Sequence, residues 1–249
     1  MEKVINFWDN NICNLSYSKQ EVGSKKFFEE ITAKKYFVEN HIPSFAEFCK
    51  YEGKKVLEVG CGIGTAMQSF VENGAIYKGI DVSKKSLEIA RKRLDVFNLE
   101  AILEERDIQT YQTDERYDLI YGFGIFHHIP DINKALENVH SLLKDDGEFK
   151  LMLYASNSWK KFRIIEGLDQ YEANSGVPVA FDYTKEEVLE LLKNFSNVRI
   201  NQTHIFPYKI PEYKEGRYVK EDYFEAMDDQ LFDCLEKNLG WHLCITCNK

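Results

Sequence analysis

Three glycines at alternate positions, Gly60, Gly62 and Gly64, follow directly on the apolar run Val56-Leu57-Glu58-Val59. Glycines so placed let the chain turn sharply and let a ligand approach where a Cβ would intrude. The helix expected after the turn exposes N–H groups that favour an anionic ligand. Taken alone, the cluster is equally an ordinary strand-to-helix loop that needs glycine for its φ angles, so the surroundings decide. They supply Asp81 and Asp107 at the ends of apolar runs, and the pair His127-His128. An imidazole titrates near neutral pH and can act as a general base. Cys244-Ile-Thr-Cys247 is a CxxC with no second pair. It falls in an expected strand, where residues three apart face opposite ways, so no metal site is expected from it.

The elements that must position these residues are legible from periodicity. From Lys54 onward strand-like and helix-like segments alternate: strands over about 55–60, 76–82, 100–105, 117–123 and 148–154, with helices between them. Asn73-Gly74 reads as a helix end, Ser83 as a helix cap, and Asp146-Gly147 as a turn. Such alternation predicts an α/β fold: a doubly wound, mostly parallel, seven-stranded sheet with helices on both faces and right-handed crossovers. Ligands of such sheets sit at the carboxyl ends of the strands, where the glycines, Asp81, Asp107 and the histidine pair all fall. Before the first strand, residues 25–50 predict one or two amphipathic helices divided at Pro43, and the aromatic, Asn-rich stretch Phe7 to Tyr17 precedes them. Residues 155–181 read as a helix and loops over the sheet. After them come a capping box at Thr184-Lys-Glu-Glu187, a strand over 198–205, a two-proline loop, an acidic helix and a last strand over 241–247. With no repeat or linker, one domain over 1–249 is the economical division. It comprises an N-terminal helical lid or extension (1–52), a cofactor-binding core (53–155) and a C-terminal half with cap insertions on the substrate side (156–249).

Composition excludes several classes. The net charge of −9 argues against a large phosphate-backbone interface, so no nucleic-acid partner is expected. No apolar run reaches the roughly 20 residues of a membrane span, and the N-terminus lacks the pattern of a secretory signal, so a cytoplasmic protein is expected. Six scattered cysteines suit reduced thiols in such a compartment. Nothing in the sequence sets the oligomeric state.

A dinucleotide fingerprint starting at Gly60 would need a small residue at 65, where this chain has Thr65. The arrangement Glu58-x-Gly60-x-Gly62-x-Gly64, with Asp81 about 20 residues on at the end of strand two, resembles the Rossmann-like class I S-adenosylmethionine-dependent methyltransferases. The likeness covers Val56 to Tyr154 directly. It implies S-adenosyl-L-methionine as cofactor, bound by Glu58, Gly60, Cys61, Gly62, Gly64, Asp81, Val82, Asp107, Ile108 and Phe123. Glu58 would face the amino end, the glycine backbone the methionine portion, Asp81 the two ribose hydroxyls, Asp107 the adenine amino group and Ile108 the ring face. The loop Gly122 to Asp131 resembles that of small-molecule enzymes of the quinone and natural-product branch, which places His127 and His128 near the methyl path as candidate catalytic bases. Their competing role is to fix the loop by bonding to backbone. Tyr17, Tyr36, Tyr154 and Tyr208 are the candidate substrate-pocket residues, with Trp8, Phe126 and Tyr218 as further aromatic candidates.

The function so implied is methyl transfer to an O, N or C nucleophile of a small molecule. The alternatives are a protein or RNA methyltransferase and a non-catalytic S-adenosylmethionine-binding protein. The loop after strand four lacks the Asp/Asn-Pro-Pro-Tyr and Pro-Cys signatures of enzymes acting on nucleobases.

Overall fold

The computed structural model describes residues 2–168 and 176–249. Part of the stretch read as helix and loops over 155–181 therefore lies outside the described residues.

Among the described residues three α-helices precede the sheet, α1 (Glu2–Asn10), α2 (Lys25–Val38) and α3 (Ile42–Ala46), with short 3-10 turns at Leu15–Tyr17 and Phe48–Tyr51. Pro43 sits in the first turn of α3, where its missing N–H has no intrahelical partner to lose, so it opens a helix as well as separating two. The aromatic stretch from Phe7, which shows little periodicity in sequence, is largely helical: α1 runs through Trp8 and Asp9 to Asn10.

The core alternates β1 (Lys55–Val59), α4 (Thr65–Glu72), β2 (Ile76–Asp81), α5 (Lys84–Phe97), β3 (Ile102–Glu105), β4 (Tyr117–Phe123), α6 (Ile132–Leu142) and β5 (Leu143–Ala155). The remainder is α7 (Trp159–Ile165), β6 (Asp182–Tyr183), α8 (Lys185–Leu191), β7 (Ser196–Thr203), α9 (Ile210–Lys214), α10 (Asp222–Glu225), α11 (Asp229–Leu239) and β8 (His242–Asn248). The sheet order is β3-β2-β1-β4-β5-β8-β7, and the two-residue β6 pairs with β5 off this path. Pairing from β3 through β5 is parallel, whereas β8 runs antiparallel to both β5 and β7. This is the doubly wound, mostly parallel sheet expected. The turn at Asp146-Gly147 is absorbed into β5 as an irregularity: Leu143 pairs with Tyr117 and Glu148 with Leu119, so the extra residues loop out of register.

Each sheet face is sealed by its own cluster, which explains why the strands read as continuous apolar runs. Val56, Tyr77, Leu119 and Tyr121 pack on Met67 and Phe70 of α4, Ala90 and Leu94 of α5, and Ile42 and Phe48. Leu57, Ile80 and Ile120 face α6 through Ala135, Leu136 and Val139, and the same cluster extends to Val188 of α8. A smaller group, Tyr17, Phe27, Phe28 and Ile31 with Ile63 and Ile89, fastens the N-terminal helices to the core. The fully buried Arg93 reinforces that joint, donating to Thr32 Oγ1, Gln68 Oε1 and Thr65 Oγ1 while its guanidinium lies over Phe28. Among the described residues no helix is long and apolar enough to cross a membrane.

Candidate cofactor and acceptor site

The turn after β1 is built as its glycines demand. Gly60, Gly62 and Gly64 all take positive φ (70°, 53° and 79°), which L side chains adopt only under strain. The N–H groups of Gly60 and Cys61 both reach the Ile80 carbonyl, which ties the turn to β2. A Cβ on Gly60 would meet the Ile125 side chain at 2.6 Å and one on Gly64 would collide with the Met67 methyl, whereas nothing lies within 4 Å of one on Gly62. Gly62 thus presents bare backbone to an open face, the kind of cradle a cofactor needs. Cys61 contributes only its backbone to this turn, since its side chain is buried against Gly79.

Asp81, the last residue of β2, closes the other side. Its carboxylate accepts the Gly62 N–H at 2.8 Å and the Ser83 N–H at 2.8 Å, and Val82 follows it into α5, which Ser83 caps. Burial raises the Asp81 pKa and those backbone donors oppose the rise. Glu58 is buried beside it and accepts from the Tyr77 hydroxyl; burial lifts its pKa to about 8 against the pull of that hydroxyl and of Lys35. Asp107 spends both oxygens on Gln109, accepting from its N–H at 2.9 Å and from its amide group. Ile108 is buried in the core, and Asn138 holds its carbonyl at 2.7 Å. Phe123 ends β4 with the Lys35 ammonium 5.7 Å from its ring centre.

The histidine pair divides. His127 is wholly buried, stacked on Tyr154 at 3.6 Å between ring centres, and neither ring nitrogen meets hydrogen-bond geometry with a described partner. Burial first, then the neighbouring His128, pushes its pKa well below the usual imidazole value, which holds it neutral and makes it a weak base. His128 bonds through Nδ1 to the Val179 carbonyl at 2.7 Å. A carbonyl only accepts, so Nδ1 carries the proton and Nε2 keeps its lone pair. His128 borders a cavity of about 220 Å³ with Tyr154, Phe181, Trp241 and Lys161.

The other aromatic candidates scatter. The Tyr36 hydroxyl bonds to Ser69 Oγ at 3.0 Å and reaches the Thr65 carbonyl, which commits it to joining α2 to α4 and takes it away from an acceptor pocket. Tyr17 is buried, with Lys34 lying over its ring. Tyr208 groups with Phe37, Tyr213 and Tyr218, away from the histidine pair, and borders a second, smaller cavity with Trp241. Phe126 is buried in the core against Phe149. Trp8 of α1 lies edge-on to His128 at 5.0 Å.

Two residues not singled out from the sequence stand at this site. Asp9 of α1 accepts from Ser83 Oγ at 2.7 Å and from the Lys85 N–H at 3.3 Å, and its charge adds to the rise in the Asp81 pKa. Lys35 of α2 faces Phe123 and Glu58. Neither belongs to a motif; only the folding of the N-terminal helices over the strand ends brings them here.

Comparison with known proteins agrees with this geometry. Residues 57–149 match the family model of a methyltransferase domain. The ubiquinone biosynthesis O-methyltransferase of Coxiella burnetii is 31% identical over 98 residues, which cover 39% of this chain and 42% of that protein. The enzyme of the same name from Pasteurella multocida is 35% identical over 106 residues, covering 38% and 44%. The chain thus spans less than half the length of the curated relatives it matches. In overall fold it resembles the magnesium protoporphyrin IX methyltransferase of Synechocystis solved with bound S-adenosylmethionine, with a TM-score of 0.61 at 13% identity, covering 100% of this chain and 97% of that one. A Thermotoga maritima structure described as a possible histamine N-methyltransferase gives 0.57 at 16%, covering 99% of each. Residues 57–149 thus match a methyltransferase domain, within a chain whose overall α/β fold resembles that of the solved methyltransferases.

Proposed function

We propose that the protein transfers a methyl group from S-adenosyl-L-methionine to a nucleophilic atom of a small molecule. The observation that carries this reading is the bare backbone at Gly62, open above and backed by the buried Asp81 carboxylate, inside the segment that matches a methyltransferase domain. A carboxylate oxygen that accepts one N–H retains a second acceptor site, so Asp81 keeps capacity for both ribose hydroxyls while holding Gly62 and Ser83. Glu58 sits where a carboxylate favours the ammonium of the cofactor. Asp107 is occupied by Gln109, so in this reading it shapes the adenine loop through the turn it makes and Ile108 supplies the apolar wall.

The cofactor, when bound, supplies an already activated methyl group. Orienting the acceptor in line with that methyl group supplies about 7–11 kcal/mol, against about 3–5 kcal/mol for a general base. Positioning therefore dominates, and the aromatic walls of the cavity beside His128 suit a planar acceptor. Of the two histidines, His128 is the better base on geometry, having a fixed tautomer with Nε2 free; His127 packs the wall behind it. The O-methyltransferase names of the curated relatives favour an oxygen acceptor. The acidic balance supports a small molecule over nucleic acid, in a single cytoplasmic unit spanning 1–249 whose N-terminal helices (1–52) cover the cofactor core (53–155) and whose remainder (156–249) forms the substrate side.

Calorimetric titration with S-adenosylmethionine tests the foundation: the unmodified protein binds and Asp81→Ala binds at least about tenfold more weakly, whereas no binding by the unmodified protein removes the proposal. Formation of S-adenosylhomocysteine that depends on a small molecule separates turnover from binding alone. Label confined to protein or RNA after incubation with labelled cofactor would move the assignment to a macromolecular substrate.

A further inference from the structure

Three histidines far apart in sequence converge beyond the end of β4: His41 from the turn between α2 and α3, His204 just after β7, and His242 at the start of β8. One ring nitrogen from each lies within 4.8 Å of the others, and among the described residues this is the one group of three His, Cys, Asp or Glu side chains so gathered. His41 Nε2 and His242 Nδ1 are 3.0 Å apart. His204 and His242 are buried, and their rings lie 4.5 Å apart between centres. We infer that these three imidazoles form a binding site for one divalent transition-metal ion of the zinc class.

Several independent features support the assignment. Two nitrogens on one tetrahedral ion at about 2.05 Å each stand about 3.3 Å apart, close to the His41–His242 separation; bringing the widest pair to that distance needs side-chain rotations of about 1–1.5 Å. Imidazole sets of this kind favour zinc, cobalt, nickel or iron over magnesium or calcium. His204 holds a left-handed backbone at φ 74°, strained for a residue with a Cβ, while its carbonyl accepts from the Trp241 N–H at 2.8 Å. Strain of this kind persists where the surroundings over-determine a side chain's aim. The buried carboxylate of Glu39 lies 4.0 Å from His242 Nδ1 and counters the positive charge that Lys35 and Lys160 bring toward the cluster. His204 also borders a small cavity of about 30 Å³ that it shares with Trp241 and Tyr208, large enough to hold a water.

Coordination requires a proton to move. Without metal, His41 Nε2 and His242 Nδ1 share one proton as a hydrogen bond. On binding, that proton passes to the other nitrogen of the same ring, and both facing lone pairs turn to the ion. His41 Nδ1 is buried without a hydrogen-bond partner, so it can receive a proton without breaking an existing bond. On the methyltransferase reading, the ion stands between the cofactor and acceptor sides: His41 and His242 flank Phe123 at ring distances of 5.9 and 5.5 Å, and the His242 ring lies 6.3 Å from that of Tyr154, which lines the cavity beside His128. It would hold an oxygen, nitrogen or sulfur atom of the substrate in its open position.

The test needs no methyl transfer, so its failure is distinguishable from failure of that reading. The chelator-treated protein is titrated with Co(II) and followed by visible absorption, then back-titrated with Zn(II). The expected result is one equivalent bound with the intense bands of a tetrahedral site, displaced by zinc, and binding weakened about 100-fold or more in His41→Ala and His204→Ala. His140→Ala, on α6 and outside the cluster, leaves binding unchanged. X-ray absorption at the zinc edge of the unmodified protein guards against a variant that fails to fold: three imidazoles in the first shell are expected. No cobalt band, fewer than three imidazoles, or unaltered affinity in folded His41→Ala overturns the assignment.

Discussion

Glu58 offers the sharpest physical test, because its environment fixes both the sign and the size of an effect. The carboxyl is buried under the glycine turn, and burial raises its pKa from an ordinary 4.5 to about 8 despite the Tyr77 hydroxyl and Lys35. A carboxyl whose folded pKa lies above its unfolded value is neutral in the native protein where the unfolded chain has already ionised. Its stabilising contribution is therefore whole below about pH 4.5 and is lost progressively as the pH rises to about 8. At about 1.4 kcal/mol per pH unit, the loss across that window is about 5 kcal/mol for this group alone. Glu58→Gln keeps the shape and an acceptor for Tyr77 but cannot ionise. Urea unfolding from pH 5 to 9 in the absence of cofactor should show the variant gaining on the wild type with rising pH, by several kcal/mol at pH 8.5. Parallel profiles for the two proteins would refute the argument. A cation brought to Glu58 favours the ionised form, so binding of S-adenosylmethionine near pH 7 should release a proton, seen as a dependence of calorimetric heat on buffer ionisation enthalpy.

Removing the Asp9 contact to Ser83 and Lys85 by Asp9→Ala should loosen α1 and change the affinity for S-adenosylmethionine about 3- to 30-fold, with global stability altered by no more than about 1 kcal/mol; fluorescence titration and thermal melts separate the two. Lys150 is buried in β5 with its ammonium on the Phe45 carbonyl and the Glu47 carboxylate. Glu47→Gln should therefore cost about 1–3 kcal/mol, because Glu47 itself is half exposed, whereas Lys150→Met should be near neutral, both measured by urea unfolding. His128→Gln should lower turnover about 10²-fold or more and leave cofactor binding intact, whereas His127→Phe should keep turnover within about threefold of the wild type and hold or raise the melting temperature; steady-state kinetics and calorimetry score the pair.

The sequence by itself determined the framework. Short aliphatic runs alternating with helical periodicity specify a parallel sheet sealed on both faces, and the β1 to β5 segment formed as its pattern required, because β1, β2, β4 and β5 are buried on both sides while β3 is the exposed edge. The glycine spacing also determined the turn, since positive φ at Gly60, Gly62 and Gly64 is a local property that only glycine adopts freely. Side-chain roles were less legible. That Asp107 would spend itself on Gln109, that Tyr36 would join two helices, and that His127 and His128 would part into a buried and a cavity-lining residue all depend on neighbours chosen by packing. Only the tertiary structure brought Asp9 onto the start of α5 and gathered His41, His204 and His242, which lie up to 201 residues apart. Convergence of this kind leaves no periodic trace in a chain, because it is set by where helices and strands end in space, and a motif records only what neighbours along the backbone must do.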